Sequence, residues 1–118
     1  MGFAHVTVRI YSIDLTKWED VEVLVDRGAL LTSMPRSVLE KLGFKPIARR
    51  KLRAYGGGLV ERDIGGVVVE YEGQRAIAPV IFGEEGDIPV LGVTALEALG
   101  YQIDPTSKKL KPTELLMV

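Results

Sequence analysis

Apolar and polar positions alternate from the start of the chain. Ala4, Val6, Val8 and Ile10 stand against His5, Thr7 and Arg9, the two-residue period of a strand with one buried face. Asp14 to Lys17 is polar enough to turn, and Trp18 opens a second alternating run that ends at Asp26, so the chain begins with a hairpin. Gly28 lets the backbone turn sharply just after Asp26, which presents that carboxylate at a strand end. Ala29 to Thr32 predicts a further short extended piece. Ser33-Met34-Pro35 then starts a short helix with Pro35 at a first helical position, Val38, Leu39 and Leu42 turned inward, and Gly43 as its C-cap.

The second half repeats this grammar. Leu52 to Tyr55 leads into Gly56-Gly57-Gly58, and Leu59 to Ile64 leads away, which predicts a hairpin whose tip cannot contribute to a core. Gly65-Gly66 breaks the run; Val67 to Tyr71 and Gln74 to Phe82 form the next hairpin across Glu72-Gly73. The apolar stretch Ala76 to Phe82 predicts a strand covered on both faces, with Pro79 marking an edge or bulge in its middle. After the acidic loop Gly83 to Asp87, Ile88 to Gly92 is a brief apolar strand. Val93 to Leu99 is a helix stopped by Gly100, with Thr94 a candidate cap. Tyr101 to Ile103 is extended, Asp104 to Ser107 turns, and Lys108 to Pro112 is a short strand. The tail Leu115 to Val118 is apolar at a terminus and calls for cover. Short strands, frequent turns and two small helices predict a mostly β, barrel-like domain.

A chain of 118 residues with 47% apolar and 26% charged positions has the size and composition of one globular domain. Its net charge of -1 offers no field for nucleic acid or an anionic membrane, and the basic run Arg49, Arg50, Lys51 and Arg53 reads as a solvated strand face. Without cysteine there is no thiolate nucleophile, thiolate metal site or disulfide framework. The single histidine, His5, lies on a strand surface and leaves no histidine-based metal cluster or serine triad. No apolar stretch approaches the length of a spanning helix, no signal sequence opens the chain, and Val6 stands where N-myristoylation needs Ser or Thr. A cytoplasmic protein without cofactor or metal is the expectation.

Twice, an apolar strand enters a glycine loop and a short helix follows: Val25-Asp26-Arg27-Gly28 before the first helix, and Val90-Leu91-Gly92 before the second. With the glycine hairpin between them, this order resembles the retropepsin-like aspartic proteases, the family of the retroviral proteases and their prokaryotic relatives. The resemblance covers nearly the whole chain. It extends to Glu70, Gly73, Ala76-Ile77 and Gly83, and to Leu96-Glu97-Ala98-Leu99-Gly100, Asp104-Pro105 and Leu110. It implies a closed β-barrel over residues 1–118 that forms one half of a two-fold dimer. Asp26 would be the catalytic carboxylate in a loop with Arg27, Gly28 and Ala29. Tyr55, Gly56, Gly57, Gly58 and Leu59 would form a flap over the substrate, and Val90, Leu91 and Gly92 would brace the catalytic loop. The activity implied is hydrolysis of peptide bonds in a polypeptide substrate.

The chemistry makes its own demand. Peptide hydrolysis by carboxylates needs an acid and a base flanking one water, and two close carboxylates meet it by sharing a proton. Asp87 and Asp104 lack the Asp-x-Gly spacing, and Asp63-Ile64-Gly65 leads to a strand and not to a helix. A homodimer that joins Asp26 to its symmetry mate supplies the second carboxylate, with Leu115 to Val118 as an interfacial strand. Two positions depart from the family. Arg27 stands where it has Thr or Ser, and a guanidinium has no lone pair with which to accept the hydrogen bond that locks the two loops. Val93 and Leu30 stand where the retroviral members have an ion pair. The alternative is therefore a dimer that keeps fold and groove but acts as a peptide-binding or assembly module.

Overall fold

The computed structural model describes residues 3–54 and 56–117. Within them the chain runs β1 (Phe3–Tyr11), β2 (Trp18–Asp26), β3 (Thr32–Pro35), α1 (Arg36–Lys41), β4 (Ala48–Arg53), β5 (Leu59–Tyr71), β6 (Gln74–Gly83), β7 (Val90–Leu91), α2 (Val93–Leu99), β8 (Tyr101–Ile103) and β9 (Leu110–Pro112). Seven strands pair in the order β1-β2-β7-β3-β6-β5-β4. β1 also pairs with β5 through Arg9↔Glu70, Ile10↔Val69 and Tyr11↔Val68. β8 and β9 form a separate pair. The radius of gyration, 13.8 Å, is close to the ~13.5 Å of one compact domain of this length.

The alternation in β1 and β2 is carried into the packing. Val8, Ile10, Val21, Val23 and Val25 turn inward, where they meet Val67, Val69, Val80 and Phe82 from the next hairpin and Leu39, Leu96 and Leu99 from the helices. The β5–β6 turn is made by Glu72 and Gly73, both with positive φ (49° and 81°), the combination a two-residue hairpin of right-handed twist requires. No helix among the described residues is long and apolar enough to cross a membrane.

Tertiary pairing overrides the local signals in four places. Ser33, Met34 and Pro35 are strand rather than helix: β3 pairs in parallel with Val80 to Gly83, Met34 is fully buried, and α1 begins only at Arg36 after an extended Pro35 (ψ 133°). Residues 29–31 are loop, with the strand starting at Thr32. Gly65-Gly66 does not break β5. The strand runs through both, because the Lys45 carbonyl oxygen and the edge of the Phe82 ring come within 3.2 and 3.0 Å of where a Cβ on Gly65 would sit, a close approach that glycine permits. β6 is covered on one face only: Ala78, Val80 and Phe82 are buried while Ile77 is 73% exposed. Pro79 falls just before Val80, where the pairing with β3 begins, so its missing N–H costs no ladder bond to that strand.

The β1–β2 turn is held by one carboxylate. Asp14 Oδ1 accepts from Ser12 Oγ (2.7 Å), Thr16 Oγ1 (2.8 Å) and the Thr16 N–H (3.1 Å). The Ser12 hydroxyl, then Thr16, hold the Asp14 carboxyl at about 2, below its ordinary 3.8. A lowered folded-state value means that the ionised form stabilises the fold. That contribution is complete above the unfolded value and is lost as pH falls from about 4 through about 2. Asp14→Ala is therefore expected to speed exchange of the Thr16 and Lys17 amides and to flatten the acid limb of the stability curve in that window. An unchanged acid limb in a urea titration at successive pH values would remove Asp14 from the turn's energetics.

Candidate active site at the Asp26 loop

β2 delivers Asp26, half-buried, to the start of a loop that folds back on the carboxylate. The Gly28 N–H donates to Asp26 Oδ1 at 2.8 Å, and the Ala29 N–H donates to the Asp26 carbonyl at 3.1 Å. A Cβ on Gly28 would lie 3.2 Å from that same carboxylate oxygen, so the glycine keeps the approach open. Arg27 is exposed and makes no ion pair with Glu22 or any other described residue. It lines a cavity of about 300 Å³ together with Val93, Leu96, Glu97, Tyr101 and Ile103.

The Val90-Leu91-Gly92 segment lies directly against this loop. β7 enters between β2 and β3, pairing in parallel through Leu24↔Val90 and Val25↔Leu91 and antiparallel through Ser33↔Val90. The Leu24 N–H donates to the Pro89 carbonyl at 3.0 Å. The loop then crosses the start of α2. Val93 N–H donates to the Ala29 carbonyl (2.8 Å), and Thr94 donates to the Leu30 carbonyl twice, through N–H (3.1 Å) and Oγ1 (2.7 Å). Thr94 thus ties loop to helix rather than capping α2, whose N-cap is Gly92. The Gly92 N–H donates to Thr32 Oγ1 at 3.1 Å in a fully buried position. A Cβ on Gly92 would lie 2.6 Å from the Leu31 carbonyl carbon and oxygen, so no other residue fits there without moving backbone.

The glycine hairpin is present as β4 and β5, and its tip is closed by its own bonds. Ala54 N–H donates to Gly58 O (2.7 Å), Gly57 N–H to Ala54 O (2.9 Å), and Arg53 Nη1 to Gly57 O (2.7 Å); Gly56 and Gly57 both have φ +99°. Leu59 is 64% exposed at the start of β5. Among the described residues no hydrogen bond joins this tip to the Asp26 loop. Tyr55 lies outside the described residues, as does Val118. Leu115, Leu116 and Met117 are exposed, with Leu115 touching Gly100.

Ion pairs frame the region. Arg62 holds Asp87 with two bonds, Nε to Oδ2 at 2.8 Å and Nη2 to Oδ1 at 2.9 Å, tying β5 to the loop that precedes β7. Arg36 binds Asp63 and Glu84, and Arg49 adds a second contact to Asp63 at 3.1 Å. Arg62 beside Asp87, and Arg36 with Arg49 beside Asp63, hold both carboxyls below the usual carboxylate range. Among the described residues no three of His, Asp or Glu converge as ligands to a metal would.

No family model matches this chain, and no curated protein sequence matches it. The geometry therefore stands alone: the loop Asp26 to Ala29 and the segment Val90 to Gly92, predicted as partners, are joined, whereas the glycine hairpin stands by itself. Thr32, the buried acceptor for Gly92, was not singled out. Its signal is a hydroxyl directly after the apolar run Ala29-Leu30-Leu31. Thr32→Val leaves the Gly92 N–H without its acceptor and is expected to cost about 1–3 kcal/mol, whereas Thr32→Ser stays near the parent. Gly92→Ala is expected to cost about 3 kcal/mol or more. Urea midpoints of the three variants check this; a stable Gly92→Ala protein would show that the brace is not tight.

Proposed function

We propose that this chain is an aspartic endopeptidase of the retropepsin-like type, working as a two-fold dimer in which Asp26 and the partner subunit's Asp26 share one water and one proton. The observation that carries the reading is the Asp26 loop itself: a carboxylate at a strand end, held by the Gly28 N–H at 2.8 Å and braced through Gly92 and Thr94 against β7 and α2. Such bracing fixes a carboxylate in position before substrate arrives, which catalysis by positioned groups demands. The pairing that leads from β1 through β2, β7, β3, β6 and β5 back to β1 supports describing those strands as a closed barrel. A location in the cytoplasm goes with this reading, since the chain lacks the disulfide framework that many small secreted domains carry.

In this mechanism the ionised carboxylate takes a proton from water as the oxygen attacks the scissile carbonyl carbon, and the protonated carboxyl gives its proton to the carbonyl oxygen. The tetrahedral diol then collapses: its C–N bond breaks, the nitrogen leaves with the proton of the protonated carboxyl, and a diol hydroxyl gives its proton to the ionised carboxylate, which restores the singly protonated dyad. The hairpin tip from Tyr55 to Leu59 covers an extended substrate, and the tail Leu115 to Val118, of which Leu115, Leu116 and Met117 are exposed, packs against the second copy. Arg27 favours the second reading, a non-catalytic peptide-binding or assembly dimer. An exposed cation with no acceptor lone pair cannot lock two loops as a hydroxyl does.

The test is cleavage of an unfolded protein substrate from about pH 3 to 7 by the natural chain, Asp26→Asn and Arg27→Thr, with sedimentation of each to report dimer formation. Activity that rises toward acid pH and vanishes in Asp26→Asn is the expected result. A folded dimer that cleaves only after Arg27→Thr establishes the second reading, and a monomer at micromolar concentration overturns both.

A further inference from the structure

The basic run Arg49, Arg50, Lys51 and Arg53 builds β4, the last strand in the sheet order, which pairs with β5 alone among the described residues. All of its residues are exposed except Leu52, which is half-buried. Its backbone is open on one side. The Ala54 N–H donates to Gly58 O at 2.7 Å. In an antiparallel ladder successive residues face alternate sides, so Arg50 and Leu52 also turn toward β5. Arg49, Lys51 and Arg53 turn their N–H and C=O groups to the unpaired edge.

The charges along that edge are unevenly compensated. Arg49 meets Asp63, directly opposite on β5, at 3.1 Å. Arg50 stands opposite Arg62, whose guanidinium is already committed to Asp87, and neither Arg50 nor Lys51 makes an ion pair with any described residue. Among the described residues Arg53 donates to the neutral Gly57 carbonyl alone. A second copy laid edge to edge would set these cations against each other, which is how basic edges resist self-association.

We propose that β4 is a docking edge for an extended acidic polypeptide segment, which adds to the sheet as a further strand. Its carboxylates face Lys51 and Arg53 on one face of the sheet, and its aliphatic side chains lie beside Leu52 on the other. Strand addition draws affinity from main-chain bonds and specificity from alternate side chains, and β4 offers both. A polyphosphate would match the cations but not the alternating N–H and C=O groups of the edge. The proposal is independent of peptide cleavage.

The test is an amide-resolved titration of the full chain with a short capped peptide alternating glutamate and valine. Two control peptides are a lysine–valine counterpart and a version of equal charge with proline at its central valine. The first peptide is expected to bind and to slow exchange of the Arg49, Lys51 and Arg53 amides, with the Arg50 and Leu52 amides little changed. The two controls should not bind. The double variant Lys51→Glu with Arg53→Glu, its fold verified by the rest of the spectrum, is expected to weaken binding about tenfold or more. Equal binding of the proline peptide, or of a single-stranded oligonucleotide, would reduce the edge to a polyanion contact and overturn strand addition. No binding would overturn it as well.

Discussion

Gly92 has no side chain, and the Leu31 carbonyl lies 2.6 Å from where a Cβ would be. That close approach lets one loop satisfy several obligations at once. The carbonyls of Ala29 and Leu30 accept the first free N–H groups of α2, which a helix must place somewhere, and the Gly92 N–H is taken by a buried threonine hydroxyl. β7, only two residues long, is held between β2 and β3 in opposite senses. The Asp26 carboxylate inherits its position from this arrangement, because the loop that turns beneath it is pinned at its far end.

Charge is distributed in two regimes around that centre. Where strands and loops must keep a fixed spacing, cations are neutralised by geometry: Arg62 on Asp87, and Arg36 and Arg49 on Asp63. Arg27 beside Asp26, and Arg50 and Lys51 on the open edge, make no ion pair with described residues. A charge without an internal partner keeps its hydration and remains free to meet an external carboxylate.

Local chemistry made much of the architecture legible. The period-two runs Ala4 to Ile10 and Trp18 to Asp26, the Glu72-Gly73 turn, and the helix Val93 to Leu99 with its left-handed Gly100 all follow from side-chain spacing and backbone freedom that act within a few residues. The same locality explains the errors. Ser33 to Pro35 carries helix-start signals, yet a parallel neighbour, β6, draws it into the sheet. Gly65-Gly66 carries a break signal, yet Phe82 presses against a strand that passes straight through. Both outcomes depend on partners on another strand, well beyond any local window.

The sequence by itself determined that Asp26 ends a strand at a glycine turn and that a second glycine segment precedes the last helix, because glycine freedom and β-branched alternation are properties of adjacent residues. Only the tertiary structure decided that these two segments interlock through Gly92, Thr32 and Thr94, and that Arg27 is exposed without an ion pair to Glu22. It also left β4 at the end of the sheet with its basic edge open. Those facts depend on which strands neighbour one another, and that order is settled by burying Val8, Val25, Phe82 and Leu91 in one common core.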